Sequence, residues 1–466
     1  MVNLKTYGAL VGIRLEDNNN HLLHHKVKRM SVLKVMCILL IGCLLHEKIA
    51  FAIEDSVRLG NLSLSDAQQL FRTNNRELLA AQRMLQATEA NAISAGQKPN
   101  PSLSMGVSSF NLNRSTGNKN PENHSNSLQD QTLNSTVQIS QLFERGDKRE
   151  LRIASAEDAI KASKFDVKDT ERQWLLTLNT AYYDLLLAQE IESIQVANVS
   201  LYEKTLQAAE LRLKAGDIAS SDASRIRVDL LKTKNDLRQA QANLQKAKST
   251  LAYLIGKEAD ASSIHAEDHW PDSKVLAENT AQQNINQRPD VLAAEARAKQ
   301  AEENTRLANA LKTRDVNIAL QYQHFPGQMP GAGENTIGAA VSIPLFTNYE
   351  YQGEIARAQA DLNAAQEAKE QTRAAALTEI DRANADLEAA TEKLQRFDEQ
   401  ILTEAKKAAD AAEFAYNHGA TGITDLLDSR RVLRALQLDA AAVRADFAKS
   451  LAAWKAAMTA EEISAQ

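Results

Sequence analysis

Apolar residues recur at steps of three and four positions through two long stretches of the chain, with polar residues between them. No proline falls between 145 and 270 or after 344, and Gly216 is the only glycine between 147 and 255. Heptad spacing without helix breakers predicts long α-helices that pack as coiled coils. One helix over 150–215 would reach roughly 100 Å at 1.5 Å per residue. The apolar seams run through Trp174, Leu178, Ala181, Leu185 and Ala188, through Ile380, Ala383, Leu387, Ala390, Leu394, Phe397 and Ile401, and through Leu433, Leu436, Ala440, Val443 and Phe447.

A different periodicity occupies four shorter segments of the chain. Residues 316–325 and 336–346 alternate between apolar and polar or small side chains, and 102–110 and 133–143 do so more weakly. A period of two predicts β-strands with one apolar face, and each segment has about ten residues, the length of a tilted membrane strand. Four strands cannot close a barrel, and lipid does not tolerate an open sheet edge. These segments therefore predict closure by more than one chain, with eight strands from two chains or twelve from three.

The two halves of the chain repeat one another. At an offset of 203 positions (419 − 216 = 203), Gly216 aligns with Gly419 and Asp222 aligns with Asp425, within matching flanks. Each half reads as helix, strand, strand, long helix, turn and helix. A glycine at the same place in both halves predicts a turn that needs a positive φ. The fold class is therefore mainly α, with four strands and two long helical hairpins.

Composition and charge restrict the classes of function. The formal net charge is −6 and the pI is about 5.9, which gives no basic surface for nucleic acid. Aromatic residues make up only 5% of the chain, a composition that suits closely packed helices better than a large globular core. The sequence contains no nucleotide-binding loop, no convincing nucleophile–base pair and no zinc motif of high specificity. We therefore expect no enzymatic activity and no cofactor.

The N-terminus predicts export from the cytoplasm. Basic residues precede a short apolar run, which is followed by small residues in an A-x-A pattern that ends at Ala52. This order is typical of a secretory signal peptide, and the run is too short to span a bilayer. We predict that 1–52 is a signal peptide, and that a start codon chosen too early explains the long tail before Met30. Lipidation at Cys43 within a lipobox is the alternative.

These patterns divide the chain into the signal peptide and three further parts. The predicted parts are a first repeat at 53–260 with strands in 102–143 and a tip at 216, an irregular segment at 261–283, and a second repeat at 284–466 with strands in 316–346 and a tip at 419.

Two carboxylates follow the second glycine turn. Asp425 and Asp428 are spaced i, i+3, which places them on one face of a helix. The alternative to a functional pair is a favourable negative charge at a helix start, with Thr424 as the cap.

Two histidines invite a comparison with metal sites. His265 and His269 are four positions apart beside acidic residues, and that spacing binds zinc when it lies on a helix. Their segment contains Pro271 and lacks periodicity, so it is irregular. We therefore predict no metal site, with His265 and His269 as the only candidates.

The duplicated layout, from about residue 60 to residue 460, resembles the TolC family of outer-membrane efflux ducts. Three stretches carry a closer likeness: QKPNPSLSM (97–105), QLFERGDKRELRIASAE (141–157) and VSIPLFTNYEYQGEIARAQADL (341–362). In these the chain is most similar to the CzcC branch of the family, which serves heavy-metal resistance pumps.

The resemblance implies a homotrimer in outer-membrane lipid. Four strands per chain would complete a twelve-stranded transmembrane β-barrel, and the helices would form a coiled-coil tunnel through the periplasm, with the irregular segment as its equatorial belt. It also implies two protein partners, a periplasmic adaptor and an inner-membrane pump of the RND type driven by the proton gradient. The tips would meet the adaptor through Ala215, Gly216, Asp217, His418, Gly419 and Ala420, unless the glycines are turn formers only.

The resemblance further implies an entrance gate. In TolC an acidic pair at this place in the second repeat lines the entrance constriction, which here corresponds to Asp425 and Asp428, with Asp222 as the repeat equivalent. Three chains would stack these carboxylates into acidic rings that attract cations. TolC also has a basic residue in the preceding turn, and the turn here is GATGI, so no arginine lock is expected at that spot.

We therefore expect the outer-membrane channel of a tripartite efflux system, a passive duct that exports heavy-metal cations. One alternative keeps the fold and changes the cargo to drugs or to proteins of type I secretion. An alternative of another class is a periplasmic coiled-coil scaffold without membrane insertion, against which the alternation at 316–346 argues.

Overall fold

A computed structural model describes residues 59–108, 134–267, 269–272, 285–325 and 334–458. The predicted signal peptide, the cleavage site after Ala52 and the alternative lipidation at Cys43 lie outside these residues. The segment predicted to be irregular is described at 261–267 and 269–272. It begins within a 3-10 turn at Glu258–Ser263, and Ala266 forms an isolated parallel β-bridge with Leu62.

Long helices make up most of the described chain. The helix α3 runs for 68 residues without a break, about 100 Å at 1.5 Å per residue. None of the helices in the described ranges is long and apolar enough to cross a membrane. The helices are α1 Leu64–Asn74, α2 Arg76–Ala95, α3 Lys148–Ala215, α4 Ser220–Leu254, α5 Pro289–Ala310, α6 Gln352–Arg396, α7 Leu402–Asn417 and α8 Ile423–Met458.

The long helices form two hairpins, one from each half of the chain. In the first, α3 turns at Gly216 and returns as α4; in the second, α6 and α7 turn at Gly419 and return as α8. A π-helical turn at Phe397–Ile401 separates α6 from α7, so the predicted heptad seam is interrupted there. The helix α3 also packs against α2, α5 and α8, which joins the two halves.

The four predicted strands are present and form one antiparallel sheet. The order is β1–β2–β3–β4, so β2 and β3 join the two halves, and the outer edges of β1 and β4 have no partner strand among the described residues. The last strand ends at Ser342, short of the predicted end at 346, because Pro344 has no N–H to donate. The bounds are β1 Ser102–Ser108, β2 Asn134–Phe143, β3 Val316–His324 and β4 Asn335–Ser342.

The strand register aligns side chains of one kind on each face of the sheet. In the two central rows one face carries apolar side chains across neighbouring strands and the other carries polar or small ones. Towards the strand ends Gln141 and His324 lie on the apolar face, and Leu142 lies on the polar face. Ile337 on the apolar face is 84% exposed and Met105 is 73% exposed. The apolar rows contain Leu103, Ile139, Leu320 and Ala339, and Met105, Val137, Tyr322 and Ile337; the opposite face contains Ser104, Gln138, Gln321 and Gly338, and Gly106, Thr136, Gln323 and Thr336.

An ion-pair network around two buried arginines fastens the second half to α3. Arg288 donates two hydrogen bonds to Asp290, one to Glu379 at 2.7 Å and one to the Ala457 carbonyl at 3.2 Å. Arg172 on α3 donates to the same Glu379 at 3.1 Å. Burial alone would raise the pKa of Asp290 and of Glu379, but the hydrogen bonds and positive charge of the two arginines hold both pKa values below their usual range. The carboxylates are therefore charged and paired at neutral pH.

Candidate functional site

The tip of the first hairpin is a Schellman turn. The Gly216 N–H donates to the Leu213 carbonyl at 3.0 Å, and the Asp217 N–H donates to the Arg212 carbonyl at 2.9 Å. These two bonds satisfy carbonyls at the end of α3 that have no partner within the helix.

The tip of the second hairpin has the same hydrogen bonds. The Gly419 N–H donates to the Tyr416 carbonyl at 3.0 Å, and the Ala420 N–H donates to the Ala415 carbonyl at 2.9 Å. Each of these four residues follows its counterpart in the first tip by the repeat offset of 203 positions. The two halves of the chain therefore share even the individual hydrogen bonds of their turns.

Both turns need glycine for its backbone conformation. Gly216 has a φ of 81° and Gly419 a φ of 73°, values that favour glycine. An added Cβ would meet nothing within 4 Å at either site, so both turns face open space. The residues predicted to meet an adaptor are all exposed: Ala215, Gly216, Asp217, His418, Gly419 and Ala420.

The two tips differ in their exposed side chains. In the second tip His418 lies over Phe414, with ring centroids 4.0 Å apart, and its Nδ1 is 2.8 Å from the Phe414 carbonyl oxygen. At the equivalent positions the first tip has Ala215 and Leu211. Phe414 is 66% exposed and Leu211 is 63% exposed. A partner that contacts both tips would therefore meet an aromatic surface at one and an aliphatic surface at the other.

Each hairpin is braced by an ion pair at the same place. Arg227 binds Glu210 at 2.8 Å in the first hairpin, and Arg430 binds Glu413 at 3.1 Å in the second. The two arginines differ in burial, because Arg227 is 53% exposed and Arg430 only 9%. Arg430 also donates to the Thr205 hydroxyl at 2.6 Å. This second arginine therefore braces its own hairpin and also contacts the first one.

Apolar side chains hold the two hairpins of one chain together. This hairpin core contains residues of α3 and α4 on one side and of α8 on the other. Its buried members are Tyr202, Ala209, Ile226, Leu230, Ile423, Leu426 and Leu427. Tyr416 packs against it, with the Arg212 guanidinium 5.2 Å from the centre of the Tyr416 ring. The cluster fixes the first hairpin against the second close to the turns.

Charged and polar side chains continue this contact away from the turns. Arg431 donates two hydrogen bonds to the Asp229 carboxylate, at 2.7 and 3.0 Å. Arg434 donates to the Thr233 hydroxyl at 3.1 Å and lies 3.4 Å from Asp236. The Asp229 side chain is 12% exposed, so its negative charge depends on Arg431 for compensation.

The predicted gate residues lie on helix starts. Asp425 is exposed in the first turn of α8, and Asp428 is exposed one turn later, where it binds Arg431 at 2.8 Å. Asp222 lies in the first turn of α4 and is half-buried. Thr424 lies inside α8, whose first residue is Ile423, so it is not the cap of that helix. Both interpretations of the acidic pair fit this placement, and its role at a gate stays a prediction.

The histidine pair is not assembled into a site. The His265 Nδ1 lies 3.0 Å from the Ala266 carbonyl oxygen, while Trp270, next to His269, stacks on Tyr183. Across the described ranges, no group of three or more His, Cys, Asp or Glu side chains is close enough to hold a metal ion.

Sequence reasoning missed the contact between Arg431 and Asp229. A signal was available, because the two residues are 202 positions apart, one short of the repeat offset. Opposite charges at that spacing occupy neighbouring positions on two equivalent helices.

The chain matches the family model of outer membrane efflux proteins over residues 67–257 and 280–459. It belongs to this family, whose members are transport channels and not enzymes. The predicted membership of the TolC family and the predicted location in the outer membrane are thereby confirmed.

Known proteins show the same likeness. The cobalt-zinc-cadmium resistance protein CzcC of Cupriavidus metallidurans is 26% identical over 80% of this chain and 84% of its own length. The pyoverdine export outer membrane protein OpmQ of Pseudomonas aeruginosa is 24% identical over 78% of each chain. The crystal structure of the outer membrane protein VceC from Vibrio cholerae has a TM-score of 0.68 and 20% identity, and the match covers 85% of this chain and 95% of that one.

Proposed function

We propose that this chain is the outer-membrane channel of a tripartite export system and that it works as a homotrimer. The observation that carries this proposal is the sheet with aligned apolar rows and two open edges. Apolar rows suit contact with lipid, but lipid cannot satisfy the free backbone groups of β1 and β4. Three copies, each pairing its β4 with the β1 of the next, would close a barrel of twelve strands with room for a lumen.

The rest of the fold suits a duct that crosses the periplasm. The polar face of the sheet, with Gln138 and Gln321, would line the lumen. The hairpins would carry the passage about 100 Å from the membrane, the length of α3 at 1.5 Å per residue. Their exposed tips would be the surface for a periplasmic adaptor, which connects the duct to an energised inner-membrane pump.

The proposed cargo is heavy-metal cations. The support is the similarity to CzcC, a cobalt-zinc-cadmium resistance protein. A duct works with weak sites because tight binding slows exit. Asp425 and Asp428 would supply such weak attraction at the entrance. A second candidate cargo is a small organic molecule, which the similarity to a pyoverdine exporter favours.

The membrane claim is tested by a pair of neighbouring substitutions on β3. Leu320 lies on the apolar face and Gln321 on the polar face. Leu320→Arg would place a charge in lipid, at about 2–4 kcal/mol near the bilayer midplane, whereas Gln321→Arg would place it in the lumen. We expect Leu320→Arg to reduce the amount of protein in purified outer membranes, and Gln321→Arg to leave it unchanged. Equal tolerance of both charges would favour the periplasmic scaffold.

The cargo claim is tested in a deletion strain. Loss of the gene should raise sensitivity to zinc, cobalt or cadmium and leave sensitivity to antibiotics unchanged, with recovery on expression of the wild-type chain. Sensitivity to antibiotics alone, or loss of siderophore export, would assign the duct to organic cargo.

A further inference from the structure

In the proposed trimer, six hairpins would form a ring in which first and second hairpins alternate. The contact seen within one chain runs from a first hairpin to a second hairpin. The contact between chains must then run from a second hairpin to the first hairpin of the next chain. Because the repeat holds at single hydrogen bonds, residues that meet within a chain map, at the repeat offset, onto residues that meet between chains.

One side of the intrachain contact maps onto an apolar stripe. Arg431 and Arg434 of α8 correspond at the repeat offset to Val228 and Leu231 of α4. The two arginines are engaged within the chain, whereas Val228 is 63% exposed and Leu231 is 58% exposed. Burial of these two apolar side chains against another chain would be favourable, because it removes apolar surface from water.

The α4 side of the contact also maps from polar residues onto apolar ones. Asp229 and Thr233, which accept the arginine hydrogen bonds, correspond to Val432 and Leu436 of α8. Val432 is 56% exposed.

The two changes compensate for each other. Valine and leucine in place of the arginines alone would face an unpaired carboxylate, which costs free energy when it is desolvated. Here both partners have changed, so a polar pair within the chain corresponds to an apolar pair between chains. We infer that Val228 and Leu231 of one chain pack against Val432 and Leu436 of the next. This interchain seam rests on the proposed trimer and assigns which residues form its contact near the tips.

Cysteine cross-linking in outer membranes tests this seam. The cysteines of the sequence, Cys37 and Cys43, lie in the predicted signal peptide, so the wild-type chain serves as the background control. The variant Val228→Cys with Val432→Cys should give covalent bands of two and three chains on treatment with a short bismaleimide cross-linker, whose reach replaces that of the arginine side chain. The matched control is Asp229→Cys with Arg431→Cys, which the same reagent should link within one chain, so that the protein stays at the mass of a monomer.

The outcomes separate the seam from the trimer. Covalent trimers in the first variant, and none with Val228→Cys alone, would support the seam. If the unlinked protein has the mass of three chains in detergent but the first variant gives no interchain band, the seam is wrong and the trimer stands. A link between Val228→Cys and Val432→Cys within one chain would overturn the seam too. A particle of a single chain would overturn the proposed trimer and the seam with it.

Discussion

The two hydrogen bonds between Arg431 and Asp229 are the sharpest feature of the contact between the hairpins, and they predict a measurable coupling. The perturbation is Arg431→Val and Asp229→Val, made singly and together. The double variant resembles the apolar pair inferred between chains, so the chain itself supplies the model for the substitution. Each single variant removes one partner, and Arg431→Val leaves a carboxylate that is 12% exposed without its two hydrogen bonds.

The expected magnitude follows from burial. Hydrogen bonds to a charged group contribute about 1.5–3 kcal/mol, and an unpaired buried group costs a similar amount. The Arg431 side chain is 50% exposed and also binds Asp428, so solvent and that neighbour reduce the loss. We expect each single variant to weaken the contact by about 1–2 kcal/mol, and the double variant by less than about 0.5 kcal/mol, because replacement of both partners leaves no unpaired charge.

Hydrogen exchange read by mass spectrometry would measure this effect, because the contact is local and its opening exposes amides of α4 and α8 around Asp229 and Arg431. At about 1.4 kcal/mol per factor of ten, each single variant should speed exchange of these amides by about five- to thirtyfold. The double variant should stay within about threefold of wild type. Amides around the sheet, far from the contact, are the internal control. If the effects of the single variants simply add in the double variant, Arg431 and Asp229 do not interact and the predicted coupling is absent.

Three further predictions concern the turns, the network at Glu379 and the acidic pair. Gly216→Ala and Gly419→Ala should each destabilise a tip by about 1–2 kcal/mol, because φ is positive and no clash adds to the cost; faster amide exchange in the turns would show it. Glu379 has a lowered pKa, so its stabilisation is full above its ordinary pKa and is lost as the pH falls through the folded value; thermal unfolding of Glu379→Gln should depend less on pH below about 4 than that of wild type. Asp425→Ala with Asp428→Ala should weaken block of single-channel current by divalent cations.

Exchange in the turns that is unchanged by alanine would show that the positive φ is not strained there. Equal pH profiles for Glu379→Gln and wild type would remove Glu379 from the acid-sensitive network. Unchanged block by divalent cations, together with lower thermal stability, would assign Asp425 and Asp428 to the start of α8 and not to a gate.

The helices and strands were predictable because their signals are local and periodic. The seam through Trp174 and Leu178 lies within α3, and the absence of proline lets that helix run for 68 residues. The alternation at 316–325 predicts β3 and its apolar face. The π-helical turn at Phe397–Ile401 was not predicted, because the residues there continue the heptad pattern and no glycine or proline marks the change.

Part of the candidate site was predictable from the sequence and part was not. Gly216 and Gly419 were predictable, because a glycine that interrupts two equivalent helices at the same place indicates a turn with a positive φ. For the pairing of Arg431 with Asp229 the sequence offers only their spacing of 202 positions. Many charged residues line these helices, and the packing of one hairpin on the other selects this pair among them. The contact of Arg288 with Glu379 joins residues 91 positions apart through a buried site, which no local pattern encodes.

In the proposed assembly three copies of this chain close a channel in the outer membrane. The most direct measurement is the mass of the protein extracted from outer membranes in detergent, followed by conductance of the same particles in a planar bilayer. We expect a particle of three chains that conducts ions and binds detergent through the sheet. A monodisperse single chain that is soluble without detergent and forms no channel would contradict it.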